Sequence, residues 1–393
     1  MIDIQNKASC TGCYACVRIC PKQCISMQPD EEGFWYPSVD KGICVDCGLC
    51  EKVCAVAHPF PIRQPLATYA ARSKQAKYLS LGSSGGIFQP LAERVIADGG
   101  VVFGARFNEH WEVIHDKAEV PEELPAFSGS KYVQSRTGDT YREAEGFLKA
   151  GQKVLFSGTP CQIAGLYAYL RKPYENLYTV DFICHGVPSP KVWQIYLNEI
   201  SKRLQQKYPD SRLHLSEVSF RDKSSGWYDF SLLLHYIGKK QEIINFNETI
   251  HRNFYFKGFL TNLYLRPSCH HCPCKEGKSN SDITLGDFWG IGKVCPSFDD
   301  DKGTSVVMLN SPRGISLWKT IETESLEVTL KDIVSGNEAY THSSPYPPER
   351  RLFFQDLHQS ADSLSNLIRK YTRRNYISTL RSIAGRVLRK ITR

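Results

Sequence analysis

Hydrophobic and polar positions fall into three regimes along the 393 residues. The first 54 residues hold short apolar pieces punctuated by cysteines, with no sustained period. A linker, Ala55 to Pro65, comes next; Pro59, Pro61 and Pro65 break any regular element there. From Thr68 onward strand-like and helix-like patterns alternate. Val101–Ala105 and Trp111–His115 read as strands, and Asp139–Ala150 as a helix stopped by Gly151. Lys153–Phe156, Pro160–Leu170 and Tyr178–Phe182 form a compact β-α-β unit. Longer strands are expected at Leu213–Phe220 and Tyr228–Tyr236, then a helix over Glu248–Phe259. Ile283–Leu285 and Ser305–Leu309 read as strands and Pro312–Glu324 as a helix. A proline run at Pro345, Pro347 and Pro348 precedes the last regime. There Ile377, Leu380, Ala384, Val387, Leu388 and Ile391 recur at helical spacing on one face. Arg381, Arg386, Arg389, Lys390 and Arg393 lie mostly on the other face.

The expected architecture is therefore an α+β ferredoxin-like module over residues 1–64, then an α/β domain with a mixed sheet over 65–345. A basic amphipathic C-terminal helix is expected within 346–393. The net charge of +8 sits in that last segment, where nine basic residues after Ser363 face no acidic ones, so the body is close to neutral. A neutral body without a binding motif argues against nucleic acid. The tail either lies on an anionic membrane surface or packs on its own domain.

Cysteine spacing changes the picture most. Cys10-x2-Cys13-x2-Cys16-x3-Cys20-Pro21 is repeated as Cys44-x2-Cys47-x2-Cys50-x3-Cys54, each cysteine displaced by 34 positions. Such a run wraps three thiolates around one 4Fe–4S cluster and lends its fourth to the neighbouring cluster. On that rule Cys10, Cys13, Cys16 and Cys54 hold one cluster, and Cys44, Cys47, Cys50 and Cys20 the other. Zinc knuckles, the alternative, fit poorly to two identical four-cysteine runs. Ala55 stands where the first run has its proline. The polar start, Met1 to Lys7, lacks the apolar stretch of an export signal, and no segment reaches the ~18–20 apolar residues that span a bilayer. The expectation is a cytoplasmic protein with reduced thiols, peripheral to the inner face of the membrane if the tail meets lipid.

A second constellation lies in the α/β region. Thr159 and Pro160 open a helix directly after a strand and put Cys161 in its first turn, where the helix dipole is expected to lower a thiol pKa. Cys184 ends the next parallel strand, so both lie on one carboxyl edge. Cys269-His270-His271-Cys272-Pro273-Cys274 supplies further donors. Either Cys161, Cys184, Cys269 and Cys272 hold a third 4Fe–4S cluster, or residues 269–274 form a separate zinc site using His270 or His271. On the cluster reading Cys24, Cys274 and Cys295 are left as structural, Cys274 being the one that could substitute for an assigned ligand. Gly82-Ser83-Ser84-Gly85-Gly86 opens onto a helix from Ile87 to Ala97, a setting that suits a pyrophosphate but is often only a turn.

These motifs resemble the coenzyme F420 hydrogenase/dehydrogenase beta subunit family, in a bacterial branch with a fused ferredoxin module. The resemblance is carried by Ser83–Gly86, Gly129–Val133, Ser157–Gln162, Cys184–Gly186, Phe220–Lys223, Cys269-x2-Cys272 and Ser281–Gly290. It implies an iron–sulfur flavoenzyme with three 4Fe–4S clusters and FAD, the third cluster on Cys161, Cys184, Cys269 and Cys272. Ser83, Ser84, Gly85, Gly86, Ser130, Lys131 and Tyr132 are the implied FAD contacts. Electrons would enter from a ferredoxin or another low-potential donor and leave to a small-molecule or sugar-linked substrate. The alternative is a non-catalytic subunit that hands electrons to a partner enzyme. Lys131, His185, Arg221 and Asp287 are the candidate acid or base groups.

Overall fold

The computed structural model describes residues 1–372. The amphipathic tail pattern from Ile377 onward lies outside the described residues.

The sequence duplication is reproduced in the backbone of the front module. Short helices Ala15–Ile19 and Leu49–Lys52 each begin one residue before the third cysteine of their run. Each is entered through a left-handed residue, Tyr14 or its counterpart Gly48. Between them β1 (Ile25–Pro29) and β2 (Trp35–Val39) pair antiparallel.

The body is built on an eight-stranded mixed sheet. Its strands are β3 (Ala67–Ser73), β4 (Val101–Phe107), β5 (Val113–Ala118), β6 (Val154–Ser157) and β7 (Leu177–Phe182), with three more contributed later in the chain. A separate antiparallel sheet, β8 (His214–Asp222), β9 (Ser231–Ile237) and β10 (Ile243–Thr249), is inserted before β11 (Ile283–Asp287), β12 (Ser305–Leu309) and β13 (Thr323–Glu327) complete the large one. The large sheet runs β13-β3-β12-β11-β7-β6-β4-β5. Its four middle strands, β11, β7, β6 and β4, are parallel, and antiparallel strands flank them.

Strict alternation distributes the core. Val101 and Phe103 of β4, with Val154 and Phe156 of β6, face the layer of helices Thr140–Lys149 and Pro160–Leu170. Val102 and Leu155 face the opposite layer with Leu91 and Val95 of helix Phe88–Ala97. Ala15 and Val53 of the front module join the first layer, so the module is packed onto the body. A further core around Trp193, Phe220 and Tyr255 joins helix Pro190–Lys207, the small sheet and helix Phe254–Leu260.

Several expected elements differ. Trp111 is not in a strand: it takes a left-handed conformation in the turn between β4 and β5, where its amide donates to the Asn108 carbonyl. The segment expected as a helix from Glu248 continues β10 to Thr249, and the helix starts only after the Asn253 cap. The helix from Pro312 stops at Trp318, and Thr323–Glu327 pairs with β3 as an edge strand. The proline run does not detach the segment beyond it. Phe353, Phe354, Leu364, Leu367 and Ile368 are buried in the Trp193 core.

Candidate functional site

Each expected cysteine quartet meets around its own cavity. Cys10, Cys13, Cys16 and Cys54 line one, and Cys20, Cys44, Cys47 and Cys50 line a second. The crossing of Cys20 and Cys54 between runs comes from the two short helices packing side by side. Cys24, expected to be structural, also lines the second cavity, its Sγ 3.4 Å from that of Cys20.

The third quartet is assembled from four separate positions in the chain. Cys161 sits in the first turn of helix Pro160–Leu170, which is closed by a Thr159–Gln162 capping box. Cys184 comes after β7, Cys269 lies within the short 3-10 turn Pro267–His271, and Cys272 ends that turn. All four line one cavity, as does Cys274. His270 and His271 do not line it; the His270 Nδ1 is engaged by the Ser344 carbonyl at 2.9 Å. Neither of the two histidines expected in a separate zinc site is thus at the cavity, and its five cysteines suit an iron–sulfur cluster better than that zinc site.

The expected low pKa of Cys161 is overturned. Burial, reinforced by Cys272 nearby, raises this thiol well above its ordinary value. Burial likewise pushes Cys184 up to about 12 and Cys269 up to about 11. One helix terminus does not offset removal of the thiolate from water.

The inner front site, the third site and a larger cleft are contiguous. Cys13 packs against Gly165, where an added Cβ would stand 2.8 Å from the Cys13 Cβ. Gly165 lies one turn after Cys161 on the same helix, about 6 Å along its axis. On its other side the third cavity shares Asp181, Cys184 and His185 with a cleft of about 640 Å³. That volume is in the usual range for a site holding one organic ligand, ~300–1,000 Å³.

The cleft opens at the carboxyl ends of β6, β7 and β11, where parallel sheets place ligands. Ser83, Ser84, Gly86, Ser130, Lys131 and Tyr132 all line it. Gly85 does not; its amide donates to Ser305 Oγ on β12 and fixes the loop to the sheet. Helix Phe88–Ala97 starts at the cleft with no side-chain cap, so its first amides remain available to an anion. The Ser83 hydroxyl receives the Ser130 amide at 2.6 Å and ties the two loops together.

Charged and titratable groups set the chemistry of the walls. Arg221 makes a two-pronged pair with Asp287, at 2.8 and 3.1 Å, and also donates to the Tyr132 hydroxyl and the Ser83 carbonyl. Its Nε has no partner. Lys131 donates to the Ser128 and Gly129 carbonyls, and burial lowers its pKa to about 7. His185 is held by Asn262 at 2.7 Å, and burial lowers its pKa. His115, which no motif announced, is held near pKa 4 by burial, and its Nε2 lies 3.0 Å from the Ser157 carbonyl. A carbonyl only accepts, so Nε2 carries the proton and Nδ1 is an unpartnered acceptor. Asp181, raised to about pKa 6 by burial, stands on the wall shared with the third cysteine set.

Residues 151–334 match the family model for the C-terminal part of the coenzyme F420 hydrogenase/dehydrogenase beta subunit, and residues 9–57 match the 4Fe-4S dicluster domain. Among curated proteins, a 7Fe ferredoxin of Hydrogenibacillus schlegelii is 42% identical over 43 residues, 11% of this chain and 49% of that protein. The NADH-quinone oxidoreductase subunit I 2 of Geobacter metallireducens is 36% identical over 56 residues, 13% of this chain and 43% of that protein. The chain spans less than half the length of these curated relatives. A structure of the F420-reducing NiFe hydrogenase complex from Methanosarcina barkeri aligns with 80% of this chain and 92% of its own, at 16% identity and a TM-score of 0.45. No helix among the described residues is long and apolar enough to cross a membrane.

Proposed function

We propose, from the premise that this chain belongs to the coenzyme F420 hydrogenase/dehydrogenase beta subunit family with a 4Fe-4S dicluster domain at its front, that it is an FAD-dependent iron–sulfur oxidoreductase. The observation that carries this reading is the continuous series of sites. The Cys20 and Cys44 set is outermost, with Cys47 exposed to an incoming donor. The Cys10 set comes next and abuts the helix of Cys161, and the third set shares a wall with the cleft.

The residues of the cleft fit FAD. The uncapped helix start and the Ser83–Gly86 and Ser130–Lys131 loops suit a pyrophosphate. Bound there, FAD supplies the step that one-electron clusters cannot, joining two single electrons into a hydride equivalent. Arg221 and Asp287 hold the two loops in place around it, and Lys131, its pKa lowered to about 7 by burial, can exchange the proton that accompanies reduction. The electron donor is a ferredoxin or a similar low-potential protein, and the acceptor is a small molecule, sugar-linked compounds among the candidates.

A second reading, a relay that passes electrons to a partner enzyme, is favoured by the beta-subunit description of the matched family. Assay of the isolated chain with reduced ferredoxin and a panel of small acceptors separates the two. Turnover with a small acceptor is the expected result. FAD reduction without turnover on any acceptor would favour the relay.

A further inference from the structure

The two cysteine runs differ at one position with a structural consequence. Gly12 of the first run corresponds to Asp46 of the second, and both residues are left-handed. An added Cβ on Gly12 would stand 2.8 Å from Gln134 Nε2 and 3.0 Å from an Arg266 terminal nitrogen. The glycine leaves room for an arginine from the body. Asp46 is exposed and pairs instead with the N-terminal amine at 2.7 Å.

Arg266 is fully buried. Its Nε donates to the Cys10 carbonyl at 2.8 Å, and its terminal nitrogens reach the Gln134 amide oxygen, the Trp35 carbonyl and, at 3.6 Å, Cys10 Sγ. Its guanidinium lies over the Tyr36 ring, 4.2 Å from the centroid. None of these partners is a carboxylate. Glu32, in the same module, is already engaged by Arg350. On the other side, the Arg266 carbonyl receives the Cys269 amide at 2.9 Å, and Arg266 lines the third cavity. A buried cation without a counter-charge is costly, and the compensation has to come from something anionic that the bare chain lacks.

We propose that Arg266 is a potential-setting residue: its fixed charge favours the reduced, more anionic state of the cluster held by Cys10, Cys13, Cys16 and Cys54 over that of its duplicate. The inference rests on the reading of these cysteines as cluster ligands. One electron moves from the outer site to the inner one, the outer is oxidised by one and the inner reduced by one, and no proton is required. The duplication supplies the sites, and Arg266 gives the pair a direction, inward to the third set.

The experiment is an EPR-monitored reductive titration of the full, anaerobically purified chain. It compares wild type with Arg266→Gln, Arg266→Lys and Gly12→Asp, the last copying the second run and setting a carboxylate beside the guanidinium. With a unit charge removed a few ångströms away at an effective dielectric of about 20, the reduction equilibrium of the inner cluster is expected to fall about a hundredfold. A hundredfold is about 120 mV for a one-electron couple. Gly12→Asp should shift the same cluster in the same direction, Arg266→Lys should keep most of the wild-type value, and the outer cluster should not move. Full iron content with unmoved potentials in Arg266→Gln and Gly12→Asp would overturn the proposal alone, as would an equal shift of the outer cluster. If Arg266→Gln fails to fold, the isosteric Gln134→Glu, which sets a carboxylate on the Arg266 terminal nitrogen in place of the amide oxygen, decides by the same downward shift of the inner cluster. A chain without iron on residues 1–54 would overturn the functional reading and the proposal with it.

Discussion

The first and second cysteine runs share spacing, helix position and entry turn, yet they live in different surroundings. The first is pressed between the module and the body. Cys13 lies against Gly165, the Cys10 carbonyl accepts from Arg266, and burial pushes the Cys13 thiol up to about 11. The second run faces outward, with Cys47 exposed and Ile43 and Val45 more than half exposed beside it. A duplication makes two equivalent sites; the body it packs on makes them different. The same contrast separates entrance from interior in the proposed electron path.

The largest effect expected is the loss of the interior end. Cys161→Ser should remove about four of about twelve iron atoms and stop electron delivery to the cleft, while the two front clusters remain. Cys47→Ser, at the exposed end, should also lose one cluster but leave the rest of the chain at wild-type stability. Iron analysis and EPR check the cluster losses, denaturant titration the stabilities, and equal destabilisation by the two would break the contrast.

Next in size is the clasp that presses the module down. Arg350 is buried and pairs with Glu32 through both terminal nitrogens, while also donating to the Leu265 carbonyl. Arg350→Ala leaves the Glu32 carboxylate without its cation and is expected to cost about 3–5 kcal/mol in denaturant titration. A cost below about 1 kcal/mol would mean that the clasp does not hold the first run in place. Gly165→Ala acts at the same seam from the body side. Its methyl would crowd Cys13 and the Tyr141 hydroxyl, for about 1–3 kcal/mol and a perturbed EPR signal from the inner cluster.

The smallest effect extends the contrast to the cleft. Lys131 has its pKa lowered to about 7 by burial, so between there and the ordinary lysine range the unfolded chain binds a proton that the folded chain does not. Stability should therefore rise with pH through this window, by about 1 kcal/mol from about pH 7 to about pH 8, and fall back as pH drops. Lys131→Met should flatten the rise. An unchanged slope would place the lysine in contact with water.

Much of this was legible in the chain itself. Helix Pro160–Leu170 and strand Ser305–Leu309 stand where periodicity and the Thr159-Pro160 cap put them, because local signals and tertiary packing agree there. Strands β3, β10 and β13 were not legible. Their residues are partly exposed and carry no clean alternation, and β3 and β13 find each other across some 250 residues of chain. The cysteine sets could be grouped from spacing and strand order. Arg266, His115 and Asp181 could not, since each acquires its role only from burial beside residues far away in the chain. The Cys161 thiol shows the same limit from the other side: its helix position was readable, but the depth of its burial was not.

The most direct test of the central claim is the cofactor content of the anaerobically purified chain, by iron analysis, optical spectrum and flavin released on denaturation. About twelve iron and about one FAD per chain are expected, with the third cluster lost in Cys161→Ser. About eight iron and no FAD would contradict the account, leaving a ferredoxin module attached to a body that receives no electrons.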